Sequence, residues 1–589
     1  MIVSKSFKIF ETYINYIYKK DNTISKSNNR RLFLHLFKSD FIIILAIKIA
    51  FYLINLTSYF LFFKSIYTIS EKKQLKIIKF LSHIILRPLF KKIDELIYTI
   101  IFIQNNEFKE KTFFKNYNKI KKNDYTHIVI GSGPSGSISS YYLNEYFDDK
   151  DTLLVERGSG YSTYETKHPS DEFIYKWKNG GVNTSLFSTP IVFSSGECLG
   201  GGSEINSGLL HEPDENYLTS WSNDFGLKNI TKDILVNCLK EIKKICNYTF
   251  IEKNHLSSFN FFKQGAEANN FKIEKLPMLE EIKNTEKQKN SMSNTFIKKY
   301  LENKGNILSK FDIKKIYFSN NQWFLDGIKN KKKITVSCKY LFLCCGSVET
   351  NKLLINSKIK TITSPKKYYL HPMIKLIAEF GQDVQIGKEN VHPYQVTEFF
   401  PKFILGEAAS GKRFLKMATI KNTELQKNIE ENWQKMAIYH ATLSIGEGNI
   451  RKIPFTDKFI KSYKIKEKET DLLVMSYIKL CNILFDGGAK NIYLLNQKIS
   501  KVNKDNYKEE IYKLKKIKDF KFSSVHILGG ITSGENKNCI TNSFGKVQGL
   551  KNLYINDSSL INSKLLKNPQ GMVMSIAKNN IDNFIKNSR

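Results

Sequence analysis

The run THIVIGSGPSGSISSYYLNEYF, beginning at Thr126, restricts the fold more than any other stretch of the chain. A short β-branched segment leads into a glycine turn and then an amphipathic helical pattern, and DTLLVERG follows as a second strand. Gly131, Gly133 and Gly136 form G-x-G-x-x-G at the strand–helix junction, and Glu156 stands 20 residues beyond the last glycine, at the end of the second strand. Each position has a physical task. The first glycine allows the tight turn, the second lets the backbone approach a pyrophosphate, and the third lets helix and strand pack closely. The pyrophosphate then rests on the helix N-terminus, where free N–H groups and the dipole favour an anion. Glu156 is an acceptor for ribose hydroxyls. This pattern predicts an α/β, Rossmann-like dinucleotide-binding domain, and by itself it fits FAD and NAD equally.

A chain of 589 residues is too long for one core, so two or three domains are expected. The net charge is +35, yet only 7 of the 91 basic residues are Arg and Lys is spread over nearly every segment. That distribution reads as compositional bias and not as the concentrated basic, aromatic surface of a nucleic-acid binder. Eight cysteines include no C-x-x-C pair, which points to neither a zinc site nor a disulfide framework and suits a reducing, cytoplasmic compartment. Residues 41–63 are almost continuously apolar and long enough to span a bilayer, although Lys48 sits near the middle. Residues 74–101 alternate apolar pairs with Lys at helical spacing, as in a membrane-surface helix. Spanning, surface-lying and soluble packing all remain open for this region. Arg30-Arg31-Leu32-Phe33-Leu34 resembles the core of a twin-arginine export signal, but no small-residue cleavage site follows the apolar run. Export is therefore the alternative to a cytoplasmic, membrane-associated location.

Three later segments carry a family resemblance. SSGECLGGGSEINSGLLHEP (194–213), with Gly200, Gly201, Gly202, Ser203 and Asn206, resembles the glycine-rich flavin-contact segment of the glucose–methanol–choline (GMC) oxidoreductases. LFLCCGSVETNKLLINS (341–357) is similar to that family's second strand motif, with Asn351 where the family usually has Pro. The C-terminal stretch is closest, with SSVHILGGITSG, then GKVQGLKNLYINDSSLI, then KNPQGMVMSIAKNNI. The phrase beginning GGGSEIN is nearest to the long-chain alcohol oxidase and sterol oxidase type. Glycine triplets permit backbone approach to a flat ring system, in agreement with such a role.

The resemblance implies FAD held by Gly131, Gly133, Gly136, Glu156, Gly201, Gly202, Ser203, Asn206, Asp557 and Asn568. For Asp557 a helix-capping role is a rival reading, and for Asn568 a turn-forming Asn-Pro. The N-terminal region (1–122) reads as helical from its own apolar and basic patterning, and the resemblance implies an FAD-binding domain in three parts (123–255, 290–360, 521–589). An insertion (256–289) and the segment 361–520 would form an α+β substrate domain on an antiparallel sheet. It also implies oxidation of a CH–OH donor, in which a base removes the hydroxyl proton while hydride leaves carbon for the flavin. His526 in VHILGG matches the family's catalytic histidine. Asn568 matches the second position and can donate to the developing oxygen charge. His371, in YLHP, reads as structural, and His211 matches no motif. The expected partners are a lipid-like, sterol-like or sugar-derived alcohol, a quinone or other electron acceptor, and a membrane surface, with no nucleic acid and no metal. Two rival classes stay open, an NAD(P)-linked reductase and a membrane or assembly protein with a degenerate flavin domain.

Overall fold

The computed structural model describes residues 29–36, 41–81 and 122–588, apart from 161–169, 182, 251–257, 284–285, 360–365, 386–393 and 421, together with a few single positions before residue 122. A seven-stranded sheet grows outward from β1 (Asp124–Ile130), which runs through the glycine turn into α1 (Pro134–Tyr146). β2 (Thr152–Val155) and β3 (Asn306–Leu308) add in parallel on one side. On the other side the sheet continues through β4 (Asp312–Ser319), β5 (Gln322–Lys329) and β6 (Lys332–Leu343), in the order β3-β2-β1-β6-β5-β4. β6 runs parallel to β1 and antiparallel to β5, and the strand Leu553–Ile555 adds in parallel to its last residues.

The near-continuous apolar runs are explained by this position. Ile128, Ile130, Leu341, Leu343, Leu553 and Ile555 enter one core, while Val129, Leu154 and Phe342 enter another with Ile138 of α1. Parallel strands covered on both faces need apolar side chains on both. After β6 the chain turns at Gly346 into α2 (Ser347–Asn356). Asn351, in the place of the expected Pro, donates to the Ser347 carbonyl at 2.6 Å within this helix.

A second, 14-stranded sheet is mainly antiparallel. Its centre is β7 (Met373–Phe380), β8 (Tyr394–Val396), β9 (Phe403–Glu407) and β10 (Met436–Leu443). Strand alternation separates its faces. Ile374, Leu376, Ala378, Phe403, Leu405, Ala437, Tyr439 and Ala441 fill the largest core, whereas Met373, Lys375, Gln395, Ile404, Ile438, His440 and Thr442 line a cleft. The division into segments needs one correction. Asn183–Ser188 and Ile191–Phe193, from the first nucleotide-binding segment, and Phe522–Ser524, from the last, belong to this second sheet. Strands of only three to six residues carry no readable periodicity, and pairing with distant segments decides their membership. The chain ends in α3 (Gln570–Asn587), packed on α1.

Near the N-terminus, the helix Phe41–Phe62 turns Ile47, Ala50 and Ile54 inward against Leu32, Ile77 and Ile78. Leu45, Ile49, Tyr52, Leu56, Tyr59 and Phe60 stay exposed on it, and Lys48 is exposed too. Residues Ile44–Phe62 are long and apolar enough to cross a membrane by length and composition. The basic helix expected over 74–101 is described as Glu71–Phe80, and beyond Leu81 that expectation lies largely outside the described residues. His35, on the helix Asn29–Leu36, lies 2.8 Å from the Gly180 carbonyl through Nε2 and ties this region to the main body.

Candidate active site

Between the two sheets runs a cleft of about 3440 Å³, and the glycine turn forms one end of it. Gly131 has φ of +98°, and a Cβ there would lie 2.3 Å from the Cys344 carbonyl oxygen of β6's exit loop. A Cβ on Gly136 would lie 1.8 Å from the Gly131 oxygen, so α1 can sit this close to β1 only without side chains at both positions. Gly136 does not line the cleft and acts through that packing. The second glycine segment lies directly on the first, since a Cβ on Gly201 would come 2.8 Å from the Gly133 Cα. Gly133 and Gly202, by contrast, face open space, and both line the cleft.

Glu156 also lines the cleft, but its carboxylate is already at work inside the chain. It accepts from Ser132 N (3.0 Å), Ser132 Oγ (2.6 Å) and Gly158 N (2.7 Å). Burial raises its pKa, opposed by those hydrogen bonds. Glu156 thus braces the glycine turn, and its remaining lone pairs are left for a ligand. Ser203 corrects the expectation of a cofactor contact. Its hydroxyl is fully buried, donates to the Gly200 carbonyl (2.7 Å) and accepts from Met292 N (3.0 Å), because the 3₁₀ turn Gly201–Glu204 points it away from the cleft. Asn206 lines the cleft and donates to the Gln570 side chain.

Asp557 caps the short helix Ser558–Leu560 through Ser559 N (2.8 Å), and it also accepts from Gly346 N (2.8 Å) and Thr350 Oγ1 (2.6 Å). The capping reading therefore holds, and it joins the C-terminal segment to the start of α2 while Asp557 stays on the cleft wall. Beside it lies an ion-pair cluster that the sequence reading missed. Arg157 pairs with Glu197 and Glu349, each at 2.8 Å, and Lys178 also contacts Glu349. Against the upward push of burial, Lys178, Lys352 and Arg157 hold the Glu349 carboxyl well below its ordinary range.

At the far end stands His526. Its Nδ1 lies 2.9 Å from Nδ1 of His371, with the rings edge to face at a centroid distance of 4.8 Å. His371 is completely buried. Burial, then the neighbouring His526, push its imidazole well below the ordinary range, and only the Leu565 backbone favours a proton on it. His371 Nε2 has no hydrogen-bond partner among the described residues, so either ring can supply the shared proton. In the tautomer that can serve as a base, His526 Nδ1–H donates to His371 Nδ1. The His526 lone pair is then on Nε2, the ring nitrogen left to the cleft. Burial pushes His526 down to about 4, so it is neutral at neutral pH.

Asn568 is held from two directions. Its N–H donates to His211 Nδ1 (3.0 Å), and its Oδ1 accepts from Gln395 Nε2 of β8 (3.2 Å). With the oxygen occupied, the side-chain NH₂ is the group left to donate toward the cleft. His211 is pushed down to about 3, first by burial and then by Lys567 and His526, so it stays a neutral acceptor.

The structure brings Gly131, Gly133, Glu156, Gly201, Gly202, Asn206, Asp557, His526 and Asn568 to one cleft and leaves Gly136 and Ser203 behind its wall. It also promotes two histidines that the sequence reading set aside. His371 holds His526, and His211 holds Asn568. The signal for His371 was its position between a strand and Pro372; His211 had none, because its contact spans 357 residues. The paired, ligand-free glycine faces, the helix N-terminus and the acceptor Glu156 fit a dinucleotide at one end of the cleft. With the two-sheet frame, these features define a dinucleotide-binding α/β protein class.

The family models described as GMC oxidoreductase match residues 172–385 and 458–577, together more than half of the chain. The chain belongs to the GMC oxidoreductase family. An uncharacterized GMC-type oxidoreductase of Sinorhizobium fredii is 23% identical over 472 residues, covering 76% of this chain and 92% of that protein. Among solved structures, pyridoxine 4-oxidase from Mesorbium loti superposes with a TM-score of 0.61 at 12% identity, over 78% of this chain and 99% of that one. A formate oxidase from Aspergillus oryzae, described in connection with FAD modification, gives 0.58 at 13% identity, over 81% and 99%. Both share the fold.

Proposed function

We propose that the protein is an FAD-dependent oxidoreductase that oxidises an alcohol to a carbonyl. The observation that carries this reading is the 2.9 Å His526–His371 contact, which leaves a neutral imidazole nitrogen facing the cleft that also holds Asn568. The glycine faces at 133 and 201–202, Glu156 and Asp557 would hold the FAD, which supplies the hydride acceptor when bound. His526 Nε2 takes the hydroxyl proton as the C–H hydrogen leaves with its electron pair, and the C–O bond becomes C=O. The Asn568 NH₂ donates to the oxygen while negative charge develops there. Gln395 and His211 keep Asn568 from rotating.

The long-chain or sterol-like alcohol of the resemblance fits the size of the cleft. The exposed apolar face of the helix Phe41–Phe62, on a chain of net charge +35, supports docking on an anionic bilayer at the cytoplasmic side, with a quinone-like acceptor drawn from it. Purified protein should carry about one noncovalent FAD per chain that is bleached anaerobically by an alcohol. Colourless protein that takes up no FAD, or bound FAD that no alcohol reduces, would refute the reading. Full-length protein that ignores anionic vesicles and forms peroxide rapidly during turnover would refute the membrane and acceptor parts.

A further inference from the structure

On the proposed reading of the cleft as an alcohol-oxidising site, we infer that its substrate carries an anionic group, anchored by Lys375. β7 sends Ile374, Leu376 and Ala378 into the core and Met373 and Lys375 into the cleft. Lys375 is the cross-strand partner of His440 on β10, and His440 shares the same cleft face. Burial, then Lys375 and His526, push the His440 imidazole down to about 3, so it is a neutral neighbour of the lysine in a cleft that His526 also lines. The anchor thus stands on an internal strand of the sheet and lines the cleft that His526 also lines.

Half-buried Lys375 differs from the buried lysines of the described residues, of which Lys461 lies over the Phe193 ring. Lys178 pairs with Glu349, Lys578 with Asp582, and Lys329 donates to the carbonyls of Ser309 and Tyr117. Among the described residues, no hydrogen bond or ion pair is found for the Lys375 ammonium. Burial first, and then another cation, Lys521, lower its pKa to about 8. Glu407, an acid of β9 on the cleft wall, accepts from the Ser258 hydroxyl and is not among the charges acting on Lys375. A partly buried cation facing a cation and no anion is costly, and a ligand anion offsets that cost. A lysine is a point charge with no fixed fork, so a carboxylate and a phosphate or sulfate monoester share the chemistry it selects.

The test uses the FAD-loaded full-length protein and its Lys375→Met variant. Binding is measured by calorimetry with alkanoates, alkyl phosphates and the corresponding neutral amides, none of which is oxidised. Anaerobic flavin reduction is measured with ω-hydroxyalkanoates of rising chain length and with their methyl esters. The wild type should prefer the charged member of each pair. Lys375→Met should lose roughly tenfold to a hundredfold on the charged member, the range for one charge-assisted hydrogen bond, and less than about threefold on the neutral one. A phosphate-only or carboxylate-only dependence identifies which anion is taken. Equal losses on acid and ester, or no charge preference in binding, would overturn the anchor. Lys375-dependent binding with no flavin reduction by any alcohol would leave the anchor standing and overturn the alcohol reading instead.

Discussion

Replacing His371 by Phe removes one hydrogen bond and little else. An aromatic ring is kept beside His526, and the larger Phe ring at this fully buried place costs about 1–3 kcal/mol of stability. What is lost is the acceptor 2.9 Å from His526 Nδ1. A partly buried N–H left without a partner costs about 1–3 kcal/mol, and the ring escapes that cost by rotating or by changing tautomer. Either movement takes the Nε2 lone pair out of line, so returning to the reactive arrangement should slow flavin reduction roughly five- to hundredfold. FAD content should stay near wild type, and the thermal midpoint should fall by no more than a few degrees. His371→Asn, whose amide oxygen stands near the place of Nδ1, should recover part of the rate. Anaerobic stopped-flow reduction of the three proteins is the assay. Wild-type rates in His371→Phe would show that the histidine pair is packing alone and that His526 is not held by it.

Asn568→Ala should slow reduction by roughly tenfold to a thousandfold, as the loss of one donor to a developing oxyanion, with FAD still bound; single-turnover rates check this. Gly136→Ala forces a Cβ 1.8 Å from the Gly131 oxygen, so it should release FAD and cost about 1–3 kcal/mol or more, read from flavin absorbance and denaturant midpoint. Burial holds His127 and His526 down to about 4, His211 and His440 to about 3, and His371 well below the ordinary value. The unfolded chain therefore binds more protons than the native one below about pH 6.5. Stability should fall as pH drops through that value, by up to about 1.4 kcal/mol per pH unit for each such histidine. A denaturant midpoint flat between pH 7 and 4.5 would contradict that protonation assignment.

The nucleotide end was legible because its chemistry is local. Gly131, Gly133, Gly136 and Glu156 lie within 26 residues, and their roles follow from one turn and one helix terminus. The catalytic end is assembled from far-apart strands, and there the sequence was legible only where a motif was long. VHILGG and KNPQG pointed to His526 and Asn568, but His371 reaches its partner across 155 residues and reads as an ordinary core histidine. Lys375 was hidden among the other lysines, since nothing in the sequence says that this one faces inward without an acid. Ser203 failed in the opposite sense. It sits in the right motif, and only the 3₁₀ turn decides that its hydroxyl serves Met292 N and not a ligand.

The central claim is that His526 is the base. Its neutral form does the work, so protonation removes activity. With burial holding its pKa at about 4, reduction of FAD by a non-titrating alcohol should be level at neutral pH and turn down only as pH approaches 4, read over the range in which the denaturant midpoint shows the protein folded. The most direct measurement is anaerobic stopped-flow flavin bleaching across pH in the wild type and in His526→Ala. The variant should retain FAD, lose roughly a hundredfold or more in rate and show no acidic limb. An unchanged rate with the same limb would remove His526 from the chemistry.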